Sequence, residues 1–211
     1  MAKTAERRQL LKDALIAAAE RTIETHGLRG LKARALAFKA GCAVGAIYNV
    51  VTDLDDLIFA VNSRTLAALE RDLVAAGQVA ATAQGPSTAV DRLVRLGKAY
   101  VTFAAANTLR WRALFEHRPP QGKPLPDRYL EEQRQLFRLV EEPLGELQPH
   151  LSGARRALVA RSLFSAVHGM VMLGLEEKLQ TLPLASLREQ VTFIVSTICR
   201  GMLAQTVDAA Q

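Results

Sequence analysis

Apolar residues recur along this chain at the spacing of one helix face after another, and the strict alternation that marks half-buried strands is absent. The pattern therefore predicts helices. The first covers about residues 6–26, with Leu11, Leu15, Ala18, Thr22 and Ile23 on one face and Gly27 placed to end it in the left-handed conformation. Two short helices follow, at about 32–40 and 43–49. A long one starts near Asp53. Its first turn holds Asp53, Asp55 and Asp56, which suit the positive end of the helix dipole, and Leu57, Ile58, Val61, Leu69 and Leu73 lie on its apolar face.

Residues 77–86 form the first break, and Ser87 is suited to cap a helix running to about Ala106. Asn107 is suited to cap a short helix carrying Trp111, Leu114 and Phe115. Residues 118–126, RPPQGKPLP, give the strongest loop signal. A helix is expected over 126–142, with Pro143 ending or kinking it. Two long helices, about 153–181 and 184–206, complete a plan of nine. Alanine-rich stretches support it, because alanine has the highest helix propensity.

Charge refines this picture. The chain has 211 residues and a formal net charge of +6. Residues 1–50 hold nine basic side chains (Lys3, Arg7, Arg8, Lys12, Arg21, Arg29, Lys32, Arg34, Lys39) and four acidic ones (Glu6, Asp13, Glu20, Glu24), so nine minus four puts +5 there. A basic N-terminal module on a near-neutral remainder is the footprint of a head that reads a polyanion. The longest apolar runs fall short of a membrane span, and the N-terminus has no apolar signal region, so a cytoplasmic location is expected.

Enzymatic chemistry finds no foothold. His26, His117, His150 and His168 have no metal-ligand spacing with another His, Cys or carboxylate. There is no nucleophile elbow and no phosphate-cradling glycine loop. No cofactor or metal is expected. Cys42 and Cys199 form no framework and read as small buried hydrophobes in a reducing compartment.

The informative stretch is residues 27–60, GLRGLKARALAFKAGCAVGAIYNVVTDLDDLIFA. Ala37 and Ala40 are small enough for two crossed helices to pack, and Gly41 allows the sharp turn between them. Ile47 would anchor the second helix, leaving Tyr48 outward with its hydroxyl available to a phosphate. The successive elements Gly27, Arg34-Ala35-Leu36-Ala37, Ala40-Gly41, Gly45-Ala46-Ile47-Tyr48 and Leu57 resemble, without gaps, those of the tetracycline-repressor (TetR) family of transcription regulators. The likeness is strong over the first 60 residues and extends to the length and the nine-helix plan. Three departures stand out. Ala43 replaces the usual Ser or Thr cap, Val50-Val51 the usual His-Phe, and Leu54 a Lys that commonly approaches a phosphate. Farther on, Phe164 and His168-Gly169 are similar to a subgroup marked by an aromatic residue followed by His-Gly.

The resemblance implies an all-α protein. Residues 1–52 would form a three-helix, helix-turn-helix DNA-binding domain. Residues 53–211 would form a bundle of about six helices that dimerises and binds a ligand. Expected contacts to double-stranded DNA are Lys32 and Arg34 on phosphates, Tyr48 at the end of the recognition helix, Asn49 on a base edge, and Ala43, Val44 and Ala46 against thymine methyls. Lys3, Arg7 and Arg8 form either an arm or a frayed, solvated terminus. A pocket is expected among Phe103, Trp111, Phe115, Phe137, Phe164 and Met172, with His168 either its polar contact or a satisfied core histidine beside a Gly169 that permits close helix approach.

The functional expectation is a homodimeric repressor on a palindromic operator, released by a small, largely apolar effector whose binding swings the fourth helix. The competing readings are a DNA-binding regulator without a small-molecule ligand, and an all-helical enzyme or carrier with a vestigial head.

Overall fold

The computed structural model describes residues 2–78, 88–176 and 182–208, and the side chains of 4–78, 88–176 and 182–204. Among the described residues the protein is all-helical, as expected. The elements are α1 (Ala2–His26), a 3-10 turn (Leu28–Gly30), α2 (Ala33–Ala40), α3 (Val44–Ile47), α4 (Leu54–Gly77), α5 (Ala89–Ala106), α6 (Thr108–Glu116), α7 (Asp127–Leu147), α8 (Gly153–Gly174) and α9 (Leu184–Asp208).

Several boundaries differ from the sequence expectation. The recognition helix α3 is a single turn rather than residues 43–49. Asn49, Val50 and Val51 close it with backbone bonds to Ala46 and Ile47 before the next cap at Asp53. Helix α7 runs through Pro143 to Leu147 instead of stopping at 142. A proline inside a helix costs about 3 kcal/mol, but Leu144 and Leu147 beyond it are buried and offset that cost. Helix α8 ends at Gly174, short of 181, and residues 177–181 lie outside the described residues. So does Ser87. The cap seen at α5 is instead a reciprocal box: Thr88 Oγ1 accepts from the Asp91 amide (3.1 Å) and Asp91 Oδ2 accepts from the Thr88 amide (3.0 Å).

The chain divides into two compact units. The first comprises Met1–Ala67 and Asn107–Glu132, the second Ala68–Ala106 and Gln133–Gln211. In the first, Leu15, Ile16, Ala18, Ala19 and Ile23 of α1 pack with Leu36 and Ala37 of α2, Ile47 of α3, Leu57 and Val61 of α4 and Ala113 of α6. A charged network lies over this core. Glu20 of α1 receives Arg64 of α4 (2.7 Å) and Arg110 of α6 (3.3 Å), and Arg110 also reaches Glu24 (3.0 Å).

In the second unit, Leu187, Val191, Val195 and Cys199 recur every four residues on α9 and are buried. They face α5, where a Cβ added at Gly97 would lie 2.8 Å from Val191 Cγ1. Burial pushes the Cys199 thiol up to about 11, so it stays protonated at neutral pH. Cys42 is only half-buried.

Candidate functional site

The helix-turn-helix is built from α2, the turn at 41–43 and α3. Gly41 adopts φ 67° and ψ 34°, the left-handed conformation that ends α2, and the Cys42 amide bonds back to the Ala37 carbonyl at 3.0 Å. Ala43 enters α3 in extended conformation and gives no side-chain cap. Ile47 is fully buried against Leu36 and Ala37, which sets the roll of α3 about its axis. Ala43, Val44, Tyr48 and Asn49 are consequently exposed and Ala46 half-buried. Lys32, at the N-cap position of α2, and Arg34 in its first turn are exposed as well. The residues expected at DNA thus share one small module around a buried Ile47.

The structure adds interactions that were not expected. Arg7 and Arg8 belong to α1 rather than to a separate arm, and Arg8 Nη2 donates to the Asn49 carbonyl at 2.5 Å. Lys39 is tied back to Thr22 Oγ1 at 2.8 Å. Phe38 is 88% exposed on α2. The helical period alone would have placed Phe38 outward, since Leu36 and Ala37 face the core.

The residues expected around a ligand fall into groups. In the first unit Trp111 is fully buried and meets Phe115 edge-on at 5.6 Å. In the second, Phe164 stacks on His168 (5.4 Å, 22° between planes) and takes the edges of Phe137 (5.4 Å) and Tyr100 (5.6 Å). Tyr100 Oη lies 2.7 Å from His168 Nδ1, and Arg161 sits over the Phe137 ring at 5.7 Å. Burial holds the His168 imidazole below its ordinary pKa range. Phe103 is buried on α5 and Met172 half-buried on α8. Gly169 does not serve close approach within the protomer, because a Cβ there would meet nothing within 4 Å.

Helices α8 and α9 leave several large apolar side chains exposed among polar ones such as Arg155, Arg161, Glu189 and Arg200. Among the described residues α8 is the one helix long and apolar enough to cross a membrane by length and composition, and 28% of its most apolar stretch is buried. Leu158, Leu173, Phe193 and Leu203 are exposed. An open groove of about 190 Å³ lies among Arg155, Leu158, Val159, Ser162, Leu163 and Ile198.

Comparison with known proteins gives these features a context. No curated protein sequence matches the chain. Among solved structures, a protein of unknown function from Rhodococcus sp. RHA1 is similar, with TM-score 0.70, 27% identity, and 90% of this chain and 94% of that one covered. The transcriptional regulator FadR of Bacillus subtilis, solved in complex with stearoyl-CoA, is similar in fold, with TM-score 0.64, 16% identity, and 87% and 96% covered. A TetR-family regulator from Streptomyces coelicolor A3, SCO3833, has TM-score 0.54, 22% identity and 90% of each chain covered. The family model described as Tetracyclin repressor-like, C-terminal domain, matches residues 93–198, half of the chain. With that C-terminal domain behind an N-terminal helix-turn-helix, the chain belongs to the TetR family of transcriptional regulators.

Proposed function

We propose that this regulator is a homodimeric repressor of the cytoplasm. Residues 1–52 hold a palindromic operator, and residues 53–211 dimerise and take up a small, largely apolar effector that releases the DNA. The observation that carries the reading is the burial of Ile47 beneath an exposed recognition surface of Ala43, Val44, Tyr48 and Asn49, in the part of the chain that holds most of its net positive charge. Exposed Lys32 and Arg34 suit phosphates, which position the protein, while Asn49 and the small apolar side chains suit base edges. Ala46 is expected to contribute through a thymine methyl.

Dimerisation is required because two heads must reach major-groove faces about 34–36 Å apart, or a multiple of that, and one chain carries one head. The exposed apolar side chains Leu158, Leu173, Phe193 and Leu203 of α8 and α9 suit that role. Gly169 and Gly201 support it, since each has open space where a Cβ would stand. The effector reading rests on two separate groups, Trp111 and Phe115 in the first unit, and Phe103, Phe137 and Phe164 with Met172 and His168 in the second. Acyl-CoA is the first compound class to try, because FadR of Bacillus subtilis was solved with stearoyl-CoA.

The test is selection of a duplex from a random-sequence library, followed by titration of the selected complex with stearoyl-CoA, the free fatty acid and a panel of hydrophobic compounds. A palindromic duplex released by one of them is the expected result. A palindrome that none of them releases favours a regulator controlled by its abundance or a protein partner. Failure to select any duplex overturns the reading.

A further inference from the structure

The segment between α6 and α7 is fastened to the start of α4. Pro120, Gln121, Gly122 and Lys123 form a β-turn in which the Lys123 amide donates to the Pro120 carbonyl at 3.1 Å and Gly122 takes φ 86°. That positive φ at the third position is the signature of a type II turn, which glycine adopts without strain. The turn delivers the Lys123 ammonium to the first turn of α4. Nζ lies 2.6 Å from Asp53 Oδ2, 3.2 Å from Asp55 Oδ2 and 3.8 Å from Asp56 Oδ1.

Two further contacts hold the same helix. The His117 ring packs edge-on against Phe59 of α4 at 5.1 Å, and Tyr129 of α7 meets Phe59 at 5.3 Å. His117 Nε2 also approaches Asp55 Oδ1 at 3.5 Å. The first two turns of α4 are therefore gripped at three points by residues 117–129.

What the grip holds is the exit of the helix-turn-helix. Asp53 is the cap of α4, accepting from the Asp56 amide at 3.2 Å, while Asp56 accepts from the Thr52 amide at 2.8 Å. Immediately before it, Val51 is buried and its amide bonds to the Ile47 carbonyl at 3.1 Å. Lys123 is also the cation that faces three carboxylates crowded into one turn; without it they would repel one another and any nearby phosphate.

We propose that Lys123 is a positioning residue for the DNA head: from a loop outside the helix-turn-helix it clasps the start of α4 and so fixes the recognition segment 44–51. The proposal rests on the DNA-binding reading for its consequence, but its structural part can be tested without DNA.

The experiment uses the full-length protein carrying Lys123→Met, which keeps the stem and removes the charge, and Lys123→Arg, which keeps the charge. Asp53→Asn serves as a second probe, because asparagine still caps a helix while losing the ion pair. Amide hydrogen exchange is followed over 44–58, and affinity is measured for a duplex selected by the wild type and for a scrambled duplex of equal length. Lys123→Met should speed exchange over 44–58 about tenfold and weaken the selected duplex about fivefold. The scrambled duplex should change less than about twofold, since affinity independent of sequence comes from phosphate contacts that remain. Lys123→Arg should restore most of both, and Asp53→Asn should move both in the direction of Lys123→Met.

Faster exchange confined to 117–126, or an unchanged ratio of the two affinities, overturns the proposal. If the wild type selects no duplex, the DNA reading has failed, and exchange over 44–51 in Lys123→Met then decides the clasp by itself. Should Lys123→Met fail to fold, Asp53→Asn takes its place under the same criteria.

Discussion

Tyr100 Oη and His168 Nδ1 are 2.7 Å apart and join α5 to α8 in the half-buried aromatic group around Phe164. A hydrogen bond in such surroundings contributes modestly when made and costs more when one partner is removed. Tyr100→Phe is expected to lower unfolding stability by about 1–2 kcal/mol. A combined Tyr100→Phe, His168→Leu variant should lose less than the sum of the two single changes. Denaturant titration of the four proteins measures this, and strict additivity would sink the idea that the pair is coupled.

Stability should also respond to mild acid. Burial, the largest influence on both His117 and His168, lowers their pKa values from the ordinary 6.5; for His117 it outweighs the nearby Asp55 carboxylate. The unfolded chain then binds protons that the folded chain refuses. Stability is full above about pH 6.5, falls as pH drops below it and levels off beneath the lowered folded-state values. His117→Gln should flatten this limb in thermal melts between pH 7 and 5. An identical slope in the variant would refute the assignment to His117.

At the DNA head, Arg34→Ala and Tyr48→Phe should weaken all duplexes alike, whereas Asn49→Ala should change the preferred sequence. Arg34→Ala should also reduce the slope of log affinity against log salt by about 0.9 for each phosphate that is no longer neutralised. Fluorescence anisotropy over a salt series reads all three. Unaltered operator affinity in every variant would remove these residues from the interface.

Trp111 is fully buried, so truncation to alanine would cost about 3–5 kcal/mol and confuse packing with binding. Trp111→Phe is the better probe. It should weaken an effector identified by DNA release at least fivefold while leaving operator affinity without effector within twofold. In the wild type, Trp111 emission should shift on titration, since it is the only tryptophan. Silence of that emission during DNA release would place the effector elsewhere.

Phe193 is 68% exposed in the protomer and Leu158 51%. If α8 and α9 form the dimer face, Phe193→Asp combined with Leu158→Asp should give a monomer at micromolar concentration by light scattering, with helical content retained. A dimer surviving both changes moves the interface to another surface.

The helices were legible in the sequence because each buries one face and that face recurs at helical spacing. The helix-turn-helix was legible because Ala37, Ala40, Gly41 and Ile47 are each demanded by packing at fixed offsets. What escaped is long-range or set by tertiary burial. Lys123 and Asp53 are separated by 70 positions and Tyr100 and His168 by 68, and nothing local to either residue announces the other. Lys123 sat in plain view within a Pro-rich loop, where the prolines spoke more loudly than the cations Arg118 and Lys123. Pro143 stops a helix by its own chemistry, and only the burial of Leu144 and Leu147 carries α7 past it. The single turn of α3 reflects the closeness of the next cap at Asp53, which propensity over 43–49 does not register.

The partial burial of α8 bears on how such a regulator is dosed. A protomer with Leu158 and Leu173 of α8 and Phe193 and Leu203 of α9 in water gains stability from any partner that covers them, and mass action ties that gain to concentration. If the two-headed form alone occupies its site firmly, then where protomers are in excess over pairs its amount falls with the square of the protomer level. A tenfold drop in synthesis then leaves about a hundredth of the competent species, and dilution by cell growth becomes a control input that needs no effector.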